Sequence, residues 1–372
     1  MYFGLSEDQI FFQENVKKFL EDNAPVDVIR KIVNEDDKTT KKDLHNGIIT
    51  LGINNILIPE ENGGLGLDLL FAAAVAQSLG EGIATLPFTG SYVMAPLAIK
   101  YGANEEQRNL YLNEMSKNNI SFSVGFSEFF GSRNQSELSF LNNKVNGKTF
   151  FVLDFDYASH IMVSNKDGQV GIVSLDSNGI EIIDLITVDK TRIFKEIIFN
   201  NAEIDVLANT RNSNEAVNNA IDAGRVIIAA DSLGASKIML EKAIEYSKER
   251  KQFNRAIASF QAIKHMCAEM ASELEPCFSL LWHAAHSFDN NEKNKKIMAC
   301  HAKSHISDIS KMISKKATEV HGGMGFTDLL GLHYWFKRIG VNRQILGTPE
   351  IVREEAASAP VSYTHLTLPT KA

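Results

Sequence analysis

The chain has 372 residues, 44% apolar and 23% charged, the composition of an ordinary globular protein of two or three domains. Its formal net charge of -8 excludes a general basic footprint for nucleic acid, and no stretch approaches the roughly 18 apolar residues that suggest a membrane span. Cys267, Cys277 and Cys300 show no CxxC spacing, which fits buried thiols in a reducing compartment.

The opening MYFGLSEDQIFFQENVKKFL carries acids early and has no basic n-region followed by an apolar run. It does not read as a signal peptide, and the expected location is the cytoplasm. Residues 5–22 predict a first helix, with Ser6 as its cap and Phe11, Val16, Phe19 and Leu20 as its apolar stripe. Helical segments follow near 40–53 and 69–80, separated by the glycine-rich turn LIPEENGGLGLD at 57–68. Another helix starts near Asn104.

From about 121 to 207 the pattern changes to short apolar or alternating runs such as SFSVGF, HIMVS, VGIVSL and RIFKEIIF, broken by VNG and KDG. That is the signature of a small antiparallel β domain. Helical periodicity returns after 213 and lasts to about 358. Ile263, Cys267, Met270 and Leu274 mark one face; Ile306, Ile309, Ile313, Ala317 and Val320 mark another. The polar run DNNEKNKK at 289–296 reads as a solvated loop. The expected fold is multidomain α+β: an all-helical N-terminal domain (1–118), a small antiparallel β barrel-like middle domain (119–208) and a C-terminal four-helix bundle (209–358). The end, VSYTHLTLPTKA at 361–372, breaks the pattern and reads as translated cloning sequence or a short native tail, with no part in the fold.

Three motifs carry chemical content. In YSKERKQFNRAIASFQAIKHM, 246–266, a helix brings Lys248, Arg250 and Lys251 to its C-terminal end, Phe253 follows, and Phe260 and Gln261 open the next helix. Fork-shaped cations suit a diphosphate, an aromatic can cover a flat ring, and a glutamine can bond a carbonyl or ring nitrogen. A basic helix end beside a core phenylalanine would look the same. EVHGGMGFTD, 319–328, has paired glycines after a helix, suited to a close backbone approach or a plain cap. FSEFFGSR, 126–133, could offer N–H groups and serine hydroxyls, or be a simple turn.

Taken together, these segments resemble the acyl-CoA dehydrogenase family from about residue 4 to 358, with four matches in the family's order. IPEENGGLGLD resembles its N-terminal glycine-rich stretch, FSEFFGSR its flavin loop, YSKERKQFNRAIASFQAIKH its most recognisable signature, and EVHGGMGFTD with GLHYWFKR its C-terminal signature. HYWFKR and LGTPE look most like the small or partner subunits of two-gene dehydrogenases of the pimeloyl-CoA or steroid side-chain type.

The resemblance implies noncovalent FAD between subunits, an acyl-CoA substrate, an electron-transfer flavoprotein or equivalent acceptor, and a homo- or hetero-oligomer. It implies neither a nucleic-acid nor a membrane partner. Carried over by position, Phe126, Ser127 and Ser132 would face the flavin. Arg250 and Phe253 would reach the adenine dinucleotide across a dimer interface, with Gln261 nearby, and Glu319 and Gly323 would contact the same FAD. Glu319 departs from the usual glutamine, and the 126–133 loop is one residue short and lacks its proline.

The implied reaction is α,β-dehydrogenation, in which a carboxylate takes the α proton. Family members carry that base just before the glycine–threonine near the C-terminus, here Leu346 in ILGTPE, or just before an arginine in a C-terminal helix, here Gly224 in IDAGRV. Neither is a carboxylate. Asp222 reads as a first-turn helix acid off the relevant face, and Glu350 and Glu354 as surface residues. The implied base then comes from a partner subunit. A silent structural subunit and an oxidase on the same fold remain alternatives. Gly224, a glycine inside a helix, is expected to be the easier position for a restored glutamate.

Overall fold

The computed structural model describes residues 4–127 and 138–359. Six helices come first: α1 (Glu7–Asn23), α2 (Val26–Glu35), α3 (Lys38–Thr50), α4 (Leu69–Glu81), α5 (Ala95–Gly102) and α6 (Glu105–Ser116). Ser6 and Asn104 start α1 and α6 through reciprocal bonds with Gln9 and Gln107, so both ends are set by local sequence. A π-helical turn, Phe88–Met94, leads into α5.

Strands β1 (Phe122–Gly125), β2 (Ser139–Leu141), β3 (Lys144–Leu153), β4 (His160–Ser164), β5 (Val170–Ser174), β6 (Ile180–Leu185), β7 (Phe194–Glu203) and β8 (Asp205–Val206) form one sheet. Its order is β6-β7-β3-β1-β4-β5-β8, with β2 beside β3. The expected antiparallel barrel is corrected in two respects. Among the described residues no pairing joins β6 to β8, so the sheet is open, and β1 runs parallel to β4, with Val124 opposite Met162. The β2–β3 hairpin separates β1 from β4 in sequence, which provides the crossover that a parallel pair needs.

The last third contains α7 (Glu215–Glu249), a short ribbon of β9 (Lys251–Gln252) and β10 (Arg255–Ala256), then α8 (Gln261–Asp289), α9 (Lys295–His321), α10 (Leu332–Asn342) and α11 (Pro349–Ser358). Helices α4, α7, α8 and α9 share one apolar core, through Val75, Leu233, Leu281 and Ile313 among others. The α4–α7 approach is so close that a Cβ on Gly80 would lie 2.0 Å from the Asp231 carbonyl, and one on Gly234 2.0 Å from that of Gln77. Nothing larger than glycine fits at either crossing point.

A buried charge cluster ties the three regions together. Arg338 on α10 pairs with Asp231 on α7 at 2.6 Å and donates to the Ala84 carbonyl at 2.9 Å, while Arg192, between β6 and β7, reaches Asp231 at 3.1 Å. Despite burial, these cations hold the Asp231 carboxyl down at about 2. The 289–296 segment is more than a solvated loop: Asp289 accepts from the Leu69 and Leu70 amides at the start of α4, and Lys295 reaches Asn219 on α7. No helix among the described residues is long and apolar enough to cross a membrane.

Candidate functional site

A cavity of about 550 Å³ lies where β1, β3, β7 and the π-helical turn face the segment between α10 and α11. Met94, Val124, Leu153, Phe194, Ile345 and Leu346 give it apolar walls, and Ser127, Gln344 and Thr348 supply polar groups. Phe126 and Ser127 are both buried and line it. The Ser127 hydroxyl accepts from the Phe150 amide at 3.3 Å, which fixes it against β3. Phe151, at φ 52, turns out of the strand alternation and also lines the cavity. Ser132 and the rest of the flavin-like loop from residue 128 lie outside the described residues, as does the 361–372 tail.

The two sequence positions singled out for a missing base meet here. Gly224 sits in α7, and a Cβ built on it would lie 2.6 Å from Leu346 Cδ1 and 2.8 Å from Met94 Sδ. Leu346 and Met94 thus fill the space a side chain at 224 would need. A side chain at 224 would require these two flexible ends to shift, so close packing opposes the ease that helix propensity gives this position. No Asp, Glu, His, Lys or Arg lines the cavity among the described residues.

Leu346 is held in an unusual backbone state, with φ 56, followed by Gly347 at φ 100. Its carbonyl accepts from Arg225 Nε at 3.0 Å. Arg225 is itself fully buried and pinned by Glu355 at 2.6 Å, Asp222 at 3.6 Å and Cys300 Sγ at 3.4 Å. Burial opposes ionisation of Glu355, yet Arg225 and Lys296 hold its carboxyl at about 2. Burial dominates at Asp222 and raises it to about 6, against the pull of Arg225. Asp222 is not a first-turn acid: α7 begins at Glu215, and Asp222 lies buried beyond its first turn. It does not line the cavity. Glu350 and Glu354 are exposed, and Glu350 pairs with Arg343 at 2.6 Å. Lys303, fully buried on α9, donates to the Asn342 carbonyl at 2.7 Å and anchors the end of α10. Glu355, Cys300 and Lys303 carried no sequence signal, since each matters only through a contact with a distant segment. The arginine after Gly224 was the one visible clue.

The remaining predicted residues form a separate, exposed group. Arg250 ends α7 in extended backbone, and Phe253 is 87% exposed at φ 54 on the β9–β10 turn, its ring edge-on to Phe260 at 6.1 Å. Phe253 is thus no core phenylalanine. Gln261 opens α8 in an exposed position, and Glu319 and Gly323 are exposed at the end of α9 and just beyond. A Cβ on Gly323 would meet nothing within 4 Å, so this glycine is not required by packing in the chain alone. None of the five lines the cavity.

The chain thus runs in helical–sheet–helical order and encloses an apolar cavity under the 345–348 turn. Residues 6–119 match the family model for the acyl-CoA dehydrogenase N-terminal domain, and 215–359 that for the C-terminal domain. The chain belongs to the acyl-CoA dehydrogenase family. It is 27% identical over 327 residues to the probable acyl-CoA dehydrogenase YngJ of Bacillus subtilis (strain 168), covering 82% of this chain and 85% of that protein. It is also 27% identical over 354 residues to the caffeyl-CoA reductase-Etf complex subunit CarC of Acetobacterium woodii, covering 88% and 90%. A chain in the structure of the electron transferring flavoprotein of Acidaminococcus fermentans superposes with a TM-score of 0.85 at 25% identity, covering 98% of this chain and all of that one.

The activity is FAD-dependent α,β-dehydrogenation of an acyl-CoA thioester. The cavity's volume is within the usual range for ligand sites, and its mainly apolar walls with a few polar groups are compatible with a flat ring system such as that of FAD. Bound FAD supplies the acceptor for the substrate's β hydride. The chain's own contribution is to shape this apolar slot, to hold Ser127 against β3, and to fix the 346–348 turn through Arg225. With no cation on its lining, the cavity offers the diphosphate end no counter-charge among the described residues.

Proposed function

We propose that this chain is a subunit of a heteromeric acyl-CoA dehydrogenase and that a partner chain supplies the carboxylate that takes the α proton. The observation that carries this is the side-chain packing of Leu346, Met94 and Gly224, which leaves a cavity wall with no carboxylate among the described residues. A general base must come within about 3 Å of its proton, directly or through one water, and Asp222 and Glu355 are both committed to Arg225 instead.

In this reading the 1–118, 119–208 and 209–358 regions act as three domains. Phe126, Ser127 and Ser132 face the flavin of this chain's cavity. Arg250, Phe253, Gln261, Glu319 and Gly323 serve the adenine dinucleotide held by a neighbouring chain, which accounts for the exposure of a large aromatic and an unpacked glycine. The pimeloyl-CoA or steroid side-chain type is the proposed subtype, on the strength of HYWFKR and LGTPE. An electron-transfer flavoprotein is the proposed acceptor, supported by the relative described as a subunit of an Etf complex.

The test is dye reduction with acyl-CoA substrates by the purified chain alone and after co-expression with a base-bearing partner. Turnover only with the partner supports the proposal. Ordinary turnover of about 1–10³ per second by the chain alone would end it, and Asp222 would be the first residue to replace.

A further inference from the structure

All of residues 344–348 line the cavity, and they follow directly on the end of α10, whose last carbonyls have no partner within the helix. Arg225 holds this segment at its middle, through the Leu346 carbonyl at 3.0 Å. Lys303 of α9 holds its beginning. The Lys303 Nζ donates to the carbonyls of Asn342 at 2.7 Å and Arg343 at 3.2 Å, and to the Ser307 hydroxyl at 3.4 Å. Asn342 is gripped from α7 as well, where its side-chain amide donates to Asp231 Oδ1 at 2.6 Å and to Ser232 Oγ at 3.1 Å. Only residues 343–345 separate the two held carbonyls at 342 and 346, so a shift at the Lys303 end is passed on to Leu346.

Lys303 is fully buried. Burying an ammonium group costs stability, and a helix end is more often closed by a glycine or by water. The three acceptors around Nζ match the three N–H donors of the charged form. Burial opposes that charge most, Arg225 from α7 and Arg343 at the end of α10 oppose it further, and Asp308 in α9 favours it; together they push Lys303 down to about 7. The charged groups of α11 are engaged with these neighbours: Glu350 pairs with Arg343, Arg353 with Asp308, and Glu355 with Arg225. The neutral amine can keep two donors on the carbonyls and accept from Ser307, but it loses the charge assistance that makes such bonds roughly twice as strong.

We propose that Lys303 is a positioning residue for the dehydrogenation: through the carbonyls of Asn342 and Arg343 it sets the course of residues 344–348 and so the shape of the cavity wall that meets the flavin. This rests on the placement of the flavin in this chain's cavity. The ammonium form grips the segment tightly and the amine form loosely, so the wall responds to pH across neutrality.

The experiment follows the flavin absorption spectrum of the FAD-loaded protein through neutral pH. The unaltered protein should show a one-proton spectral transition centred at about 7. Lys303→Met, which removes the donors and keeps an unbranched side chain, should show none. Ser307→Ala, away from the cavity lining, should move the midpoint to lower pH, because the charged form loses an acceptor. This second variant decides the matter where Lys303→Met fails to fold. In the assembled enzyme Lys303→Met should lower kcat by about a hundredfold at an unchanged KM for acyl-CoA, the scale of a small misplacement at the reacting centre. A spectrum that does not change across neutrality, a transition that persists in Lys303→Met, or a midpoint that Ser307→Ala leaves in place would each overturn the proposal. The spectrum needs no turnover, so it tests Lys303 even if the base proves not to come from a partner chain.

Discussion

The cavity wall around Leu346 and the surface around Phe253 are two ways of holding a residue at positive φ. Leu346 is buried, its carbonyl is held by a buried arginine, and its side chain closes against Gly224 and Met94. Phe253 occupies a similar backbone state, at φ 54, but its ring stands in the open. The first conformation is fixed within the chain. The second exposes a large apolar side chain that the isolated chain leaves uncovered. The contrast separates residues whose substitution should damage this chain from those whose substitution should damage only what it binds.

The largest expected effect concerns chemistry at the wall. General base catalysis typically contributes about 10²–10⁴ in rate, so the chain alone should be slower by about that factor than its complex with a base-bearing partner in a dye-reduction assay. Leu346→Glu is the variant to build, because its side chain already lines the cavity, whereas a side chain at 224 requires Leu346 and Met94 to shift. A gain of turnover in Leu346→Glu, free of any partner, would show that the rest of the site is intact. The new carboxyl would enter an apolar setting and titrate well above the ordinary carboxylate range. Its activity should therefore rise with pH across neutrality.

Next in size is the arginine behind the wall. Arg225→Ala leaves Asp222 and Glu355 without their shared cation, and breaking a buried pair in this way costs about 3–5 kcal/mol. Denaturant unfolding should show that loss whether or not FAD is present. The two carboxylates also give opposite pH signatures. Glu355 is lowered from 4.5 to about 2, so the unfolded chain binds more protons in that interval, and stability should rise with pH from about 2 to 4.5. Asp222 is raised from 3.8 to about 6, so the folded chain binds more protons there, and stability should fall as pH rises from about 3.8 to 6. Glu355→Gln should shrink the first limb, to which Asp231 still contributes, and should soften the second only by removing the repulsion of Glu355 on Asp222.

The sequence disclosed the surface group more readily than the wall. Arg250, Phe253 and Gln261 fall within sixteen residues of one signature, and the caps at Ser6 and Asn104 are local as well. The order of helices, strands and helices followed from periodicity, a property of short windows. Pairing did not: the alternation in SFSVGF announces a strand but not that its neighbours are β3 and β4, or that one of them is parallel. Helix α2 went unassigned although Val26, Ile29, Ile32 and Val33 have helical spacing; it is only ten residues long and directly follows Pro25. Phe11 was placed in the apolar stripe of α1 and proves to be 69% exposed, while Val16 and Leu20 carry the contact. At the wall, Leu346 and Gly224 were each marked separately. Their mutual contact, and the roles of Met94, Glu355 and Lys303, depend on segments far apart in the chain.

A smaller effect is expected on the open side. Arg250→Ala should weaken FAD binding by about ten- to a hundred-fold, the worth of the proposed hydrogen bond to a charged phosphate in the assembled protein. The melting temperature of the FAD-free chain should not change, because Arg250 is exposed and its structural bonds are made by its backbone: its amide to the Tyr246 carbonyl and its carbonyl to the Ile257 amide. Flavin retained on dilution to the same extent as in the unaltered protein would remove Arg250 from the proposed diphosphate contact.

The smallest effect on the chain itself, and the sharpest separation of the two regions, is expected for Phe253→Ser. Surface substitutions away from caps and networks usually change stability by less than about 0.5 kcal/mol. Phe253 is 87% exposed, and its one ring contact is an edge-on approach to Phe260, which keeps the Arg255 guanidinium 4.0 Å above its own face. The FAD-free chain should therefore unfold at the same denaturant midpoint with serine at 253. Serine keeps the β-carbon, so the substitution adds no new strain to the left-handed backbone at 253. Flavin occupancy of the assembled protein, measured by absorbance after gel filtration, should nevertheless drop, because the ring is proposed to cover part of a cofactor held by a neighbouring chain. A midpoint shift as large as that of Arg225→Ala would mean that Phe253 packs within its own chain after all. An unchanged midpoint with unchanged occupancy would mean that the exposed turn serves some other contact, and Gln261 and Gly323 would lose their proposed role along with it.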